Sequence, residues 1–290
     1  MTEQPMPTLH DIIAARPNVY RYLKPTPLYH YSGLSELVGA QVWVKHENHQ
    51  PVGAFKVRGG LNLAANLTEA EREAGLFTAS TGNHGQSIAF SARAYGIKAT
   101  IAVPEGANPG KVAAMRGLGA EVVFHGHDFD TAREWIMGEA EAHGGRFIGP
   151  TEELLICGVG TYALEIVEEL AEVDTIIVPV GAGSGACGVS IVAKTINPKI
   201  EVIAVQSAQA PSMQRSWQRG ELVTAEMNTF AGASPPACRS KIPNASCANI
   251  SMILSWSMTR TSNTRLACCW NIPATWPKGR GRLRWRRRCR

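Results

Sequence analysis

VDTIIVPVGAGSGACGVSIVAK (173–194) is the stretch on which the fold turns. Its first part, TIIVPV, is apolar and β-branched and is closed by a glycine cluster, the pattern of a strand buried on both faces. A glycine loop follows, then a helical run as far as Lys194, then the strand KIEVIAVQSA (199–208). The uncharged segment 175–193 has about the length of a membrane span. Its glycines and its proline instead point to strand, loop and helix, so no membrane role is expected.

The same alternation extends upstream. Residues 9–22 read as a helix, AQVWVKHE (40–47) as a strand, KVRGGLNLAANL (56–67) as a helix and GLFTAS (75–80) as a strand. QSIAFSARAYG (86–96) is helical, KATIAVP a strand, NPGKVAAMRGLG a helix, AEVVFHG a strand and DTAREWIMGEAEAHGG a helix. Strand and helix in turn predict an α/β fold, with parallel sheets covered by helices on both faces. The expected division is a larger domain of residues 1–50 and 150–231, left incomplete, and a smaller domain of 51–149 inserted into it. In such sheets ligands sit at the carboxyl ends of the strands, where each polar or glycine loop of this chain falls.

Composition divides the chain sharply. Residues 1–231 hold 17 basic and 24 acidic residues, whereas residues 232–290 hold 12 basic residues and no acidic one. Five of the seven cysteines and four of the seven tryptophans also fall after residue 231. The body keeps only Cys157 and Cys187, without disulfide or zinc spacing, which fits a reducing, cytoplasmic setting. HGHDFD (125–130) combines two His and two Asp, but at a strand end before a helix Asp is a common cap, and no metal is expected.

Three motifs carry chemistry. In GAFKVRGG, Lys56 opens a helix, where the helix dipole disfavours the ammonium and favours a nucleophilic amine. In STGNHGQS (80–87), small residues, Asn83 and His84 crowd a strand-to-helix turn whose N–H groups could hold a carboxylate. In VGAGSGACG (180–188), glycines let backbone wrap a phosphate at a helix start. The segment GSGACG matches G-x-G-x-x-G, but VIAVQSA, where a dinucleotide site wants an acid, has none. Each motif alone is an ordinary lysine, a capped turn or a glycine turn. Together, a lysine nucleophile, a carboxylate loop and a phosphate cup describe a pyridoxal phosphate enzyme acting on an amino acid.

KHENHQPVGAFKVRGG (45–60), TASTGNHGQSIAF (78–90), VPVGAGSGACG (178–188) and PTPL (25–28) resemble the signature segments of the threonine/serine dehydratase group of fold-type-II pyridoxal phosphate enzymes. The resemblance runs over about residues 10–231. It implies that Lys56 is the Schiff-base lysine and catalytic base, that Phe55 packs beside the cofactor, and that Asn83 bonds its ring hydroxyl. Ser80, Thr81, Gly82 and His84 would shape the substrate-carboxylate loop, and Gly181, Ala182, Gly183, Ser184 and Gly185 would cup the phosphate. The family more often shows an unbroken run of glycines in that cup. The implied reaction is β-elimination on a small hydroxy amino acid, L-threonine or L-serine, giving a 2-oxo acid and ammonia. Serine or hydroxyaspartate racemase or ammonia-lyase activity, and β-replacement, are the neighbouring alternatives. The family also suggests a homo-oligomer.

The family does not end in KGRGRLRWRRRCR. One base out of register, with GC-rich wobble choices, TWPKGRGRLRWRRRCR (275–290) becomes NLAEGAGPAALAAAVP, and GASPPACRSKIP becomes GLATRVPFENP, both family-like. Residues 232–290 therefore read as an out-of-frame tail expected to lack regular order, and nucleic-acid binding through its arginines is disfavoured. The activity and solubility of the 290-residue product are expected to suffer.

Overall fold

The computed structural model describes residues 6–221, residue 223 and the backbone of 250–254. Thr8 and Asp11 form a reciprocal cap: the Asp11 carboxylate accepts the Thr8 N–H at 2.7 Å, and the Thr8 hydroxyl accepts that of Asp11 at 3.4 Å. They start α1 (Leu9–Tyr20). Next come β1 (Leu28–His30), α2 (Ser32–Val38) and β2 (Trp43–Lys45). β1 and β2 pair antiparallel, an exception to the parallel arrangement that the alternation predicts. The reversal is local: α2 has only seven residues and ends at Gly39, whose φ of 75° turns the chain back.

The chain then runs through α3 (Lys56–Ala65), α4 (Glu69–Ala74), β3 (Leu76–Ala79), α5 (Asn83–Tyr95), β4 (Ala99–Val103), α6 (Pro109–Gly117), β5 (Glu121–Phe124), α7 (Phe129–Ala142) and β6 (Arg146–Phe147). β5, β4, β3 and β6 form, in that order, a fully parallel sheet. All four residues of β3 are buried, as expected of a strand covered on both faces. One face packs Ile88, Ile101 and Met115 with their neighbours, and the other packs Phe77, Ala132 and Ile136.

After α8 (Glu153–Glu169) the chain forms β7 (Thr175–Pro179), α9 (Ser184–Ile196), β8 (Glu201–Gln206), α10 (Ser212–Arg219) and β9 (Ile250–Leu254). β7, β8 and β9 make a second parallel sheet, with Ile177 opposite Ile203 and Ile203 opposite Ser251. Thus 173–194 is a strand, a loop and a helix, and no helix among the described residues is long and apolar enough to cross a membrane. α8 is buried without interruption from Leu155 to Val167, because it shares one core with Ile12 of α1, Val189 of α9 and Val178 of β7. Within 232–290, where the sequence reading assigns no element, β9 joins the edge of β8. Its run ISMIL is mostly apolar and suits a strand. The remainder of that tail, with the out-of-frame reading that rests on it, lies outside the described residues.

Candidate active site

Lys56 is the first residue of α3, directly after Phe55, and no acidic residue stands in the first helical turn. Its Nζ donates to the Ser184 hydroxyl at 3.2 Å and lies 5.7 Å from the centre of the Phe55 ring. Among the described residues no carboxylate lies within ion-pair distance of it. Loss of water around the amine pushes its pKa down to about 8, since nothing anionic compensates the charge. A neutral amine is therefore available near neutral pH.

The three motifs converge on this lysine. In the glycine loop the left-handed conformation falls on Gly183, at a φ of 110°, and Ser184 already lies in α9. Gly185 faces Phe55 so closely that a Cβ there would stand 2.9 Å from the ring's Cζ, so a larger residue would push the two loops apart. Gly181 and Ala182 sit partly exposed on the loop between β7 and α9. From the second motif, Ser87 donates to the Lys56 carbonyl at 2.6 Å, which ties α5 to the start of α3. Phe55 also rests on Tyr162 of α8, with ring centres 5.6 Å apart.

Within the second motif the residues divide. The Ser80 hydroxyl accepts the Gly82 and Gly85 N–H groups at 3.2 and 2.9 Å, so it holds the turn together from inside. Thr81, Gly82 and Asn83 lie partly exposed at the start of α5. Ser80 takes the Gly82 and Gly85 N–H groups, which leaves those of Asn83 and His84, without a partner inside the helix, to receive an anion. His84 turns inward, its Nε2 3.1 Å from the Thr78 hydroxyl and 3.3 Å from the Ile148 carbonyl. Thr78 gives its own proton to that carbonyl at 2.8 Å, so Nε2 must carry the ring proton. Burial, helped by the nearby Lys56 charge, pushes the His84 pKa down to about 3, and the ring is neutral.

Sequence reasoning missed the opposite side of α3. Arg58 is fully buried; it donates to Glu47 at 2.8 Å through both Nε and Nη2, to Glu165 at 2.6 Å and to the Thr161 hydroxyl at 3.1 Å. Lys45 adds an ion pair to Glu165 at 2.8 Å and another to Glu169 at 3.1 Å. Tyr20 and Thr26 close the cluster through their hydrogen bonds to Glu165 and Glu47. Burial tends to raise the Glu165 pKa, but the charge and hydrogen bonds of Arg58 and Lys45 outweigh it and hold the carboxyl below its ordinary range. The available signal was Lys45 and Glu47 in K-x-E spacing with Arg58 eleven positions on, which reads equally well as a solvated charge pattern.

The HGHDFD segment is a helix cap, with Asp128 accepting the Thr131 N–H at 2.8 Å to start α7. His125 stacks on Trp135 and His127 is exposed, and among the described residues no group of three or more His, Cys, Asp or Glu could hold a metal.

A buried amine without an anionic partner, beside a glycine-lined helix start and a second open helix start, suits a ligand carrying an aldehyde, a phosphate and a carboxylate-bearing substrate. The sequence model described as "Pyridoxal-phosphate dependent enzyme" matches residues 19–265. The chain belongs to this family of pyridoxal-phosphate dependent enzymes, whose cofactor is pyridoxal phosphate. Over 216 residues it is 42% identical to L-threonine ammonia-lyase of Thermotoga maritima, covering 74% of this chain and 54% of that protein. It is 37% identical over 217 residues to the catabolic L-threonine dehydratase of Escherichia coli, covering 74% of this chain and 66% of that one. Against the biosynthetic L-threonine dehydratase of Haemophilus influenzae the figures are 36% identity, 75% and 43%, so the chain spans about half the length of several curated relatives it matches. Among solved structures, maize serine racemase superposes with a TM-score of 0.81 at 29% identity, covering 87% of this chain and 77% of that one. Threonine deaminase isoform 2 of Solanum lycopersicum gives 0.78 at 32%, covering 85% and 69%.

Proposed function

We propose that this chain carries the site of a β-eliminating ammonia-lyase that converts L-threonine or L-serine to a 2-oxo acid and ammonia. The observation that carries the reading is the meeting of the Phe55–Lys56 pair with the glycine loop, Lys56 against Ser184 and Phe55 against Gly185. The likeness to L-threonine ammonia-lyase and L-threonine dehydratase points to L-threonine.

In this reading the backbone of Gly181, Ala182, Gly183, Ser184 and Gly185 holds the phosphate of the cofactor at the positive end of α9. Phe55 flanks the ring, and Asn83 bonds its hydroxyl. Pyridoxal phosphate, when bound, supplies the electron sink that stabilises charge left at the substrate Cα. Lys56, with its pKa lowered to about 8, takes the Cα proton as a general base. The start of α5 at Thr81, Gly82 and Asn83 receives the substrate carboxylate, and Ser80 keeps that turn in shape from within. His84, neutral and bonded to Thr78 and Ile148, braces the same turn. The net reaction loses the β-hydroxyl with a proton as water, and hydrolysis then releases ammonia.

The likeness to serine racemase keeps racemisation as a second reading. Incubating the full chain and pyridoxal phosphate with L-serine, L-threonine and 3-hydroxyaspartate, then measuring 2-oxo acid and the chirality of recovered amino acid, separates the two. A D-amino acid without 2-oxo acid would overturn the lyase reading. On the family resemblance we also propose residues 51–149 as the smaller domain, and a cytoplasmic homo-oligomer whose mass static light scattering and whose location cell fractionation can test.

A further inference from the structure

We propose that Ser184 is the positioning residue of Lys56: its hydroxyl holds the free amine in one place and stabilises its protonated form. This deepens the reading of Lys56 as the reactive amine and rests on it.

The demands on the glycine loop are unequal. Gly183 needs its φ of 110°, and Gly185 needs to lack a Cβ because of Phe55. Position 184 has neither constraint, since it is the first residue of α9 and adopts helical backbone. A side chain is admissible there, and the one present ends 3.2 Å from the lysine nitrogen. Ser184 is only 2% exposed, so its hydroxyl has lost water and is held by the helix that bears it. Among the described residues its hydroxyl bonds to Lys56 and not to the backbone of its own helix, so capping does not account for it.

Lys56 has a long side chain with several rotatable bonds, and ordering such a chain costs side-chain entropy unless a partner holds its end. The cluster behind α3 cannot serve, because its carboxylates are taken by Arg58 and Lys45. The Ser184 oxygen accepts a hydrogen bond from the lysine N–H, which favours the ammonium over the amine and opposes the effect of burial. A hydroxyl has one proton to donate as well as lone pairs to accept. Accepting from Lys56 therefore leaves the serine proton for an anion at the start of α9. One side chain would then register both the lysine and the contents of the cup.

The test uses the full chain stripped of cofactor. An amine reagent is applied across pH 6–11, and labelling of Lys56 is followed by peptide mass spectrometry, with exposed lysines in the same digest as internal standards. Ser184→Ala should move the Lys56 labelling midpoint to lower pH, giving about three- to tenfold faster labelling below the midpoint, the scale of one lost hydrogen bond. Ser184→Thr keeps a hydroxyl and should restore the wild-type profile. Ser184→Gly substitutes if the alanine variant does not fold. Coincident profiles for wild type and Ser184→Ala, or a Ser184→Thr profile that matches the alanine, would overturn the proposal. The labelling is independent of turnover. A shifted profile in a chain that makes no 2-oxo acid would remove the lyase reading and leave Ser184 in place; an active chain with an unshifted profile would do the reverse.

Discussion

α3 carries two cations two residues apart, and the molecule treats them in opposite ways. Arg58 points to the side where Glu47, Glu165 and Thr161 wait for it, with Lys45 completing the charge balance. Lys56 points to the side of the glycine loop and meets a hydroxyl and the Phe55 ring, with no carboxylate among the described residues to pair with it. Both have lost water. The paired side raises the Arg58 pKa beyond its already high value despite burial, whereas the unpaired side lowers that of Lys56. A cation with partners is structure; a buried cation denied them is a candidate for chemistry.

The comparison can be broken at either end. Lys56→Ala should abolish lyase turnover, by more than about a thousandfold, while leaving the unfolding midpoint close to wild type. A retained 2-oxo acid yield would remove the lysine from the reaction. Arg58→Ala should do the converse: Glu47 is left buried without a counter-charge and Glu165 keeps only Lys45, and a destabilisation of about 3–5 kcal/mol is expected in denaturant unfolding. If Arg58→Ala unfolds like wild type, the cluster is not what holds α3.

A pH series sharpens the contrast without mutation. The Glu165 carboxyl lies below its ordinary value of 4.5 in the folded chain, so its contribution is complete above that value. It is lost as pH falls through the folded value, and Glu165→Gln should flatten that acid limb of stability. Smaller still is Ser80→Ala, which removes the acceptor for Gly82 and Gly85. About 1 kcal/mol of stability should go, with KM rising more than kcat falls as the α5 start loosens.

Much of the fold was legible because the physical signals are local. The strands β3, β4, β5, β7 and β8 are short apolar runs ended by glycine or polar turns, and α5, α6, α7 and α9 follow β3, β4, β5 and β7 with helical periodicity. The short pieces escaped: β6 has two residues, α4 has six, and α2 turns on Gly39 between two strands that run antiparallel. Such elements exist through their neighbours, not through their own pattern. β9 escaped for the same reason, being five residues that pair with β8 across a long stretch of chain. At the candidate site, Lys56 and the glycine loop were singled out by motif and Phe55 by the family resemblance, and the structure brings them together. Ser87 as a tie to the Lys56 carbonyl was not, because a serine in a helix carries no mark of what it will face.

What the sequence determined by itself is therefore the kind of fold and the kind of chemistry: alternating strands and helices, and a lysine, a polar turn and a glycine loop that together imply an amino-acid site with a phosphate-bearing cofactor. What only the tertiary structure decided is which groups end up sharing an environment. Lys45, Glu47, Arg58 and Glu165 are spread over 121 positions of chain yet form one buried cluster, and Lys56 and Ser184, 128 residues apart, form one hydrogen bond. Charge pairing and desolvation depend on distances in space, which the order of residues along a chain does not contain.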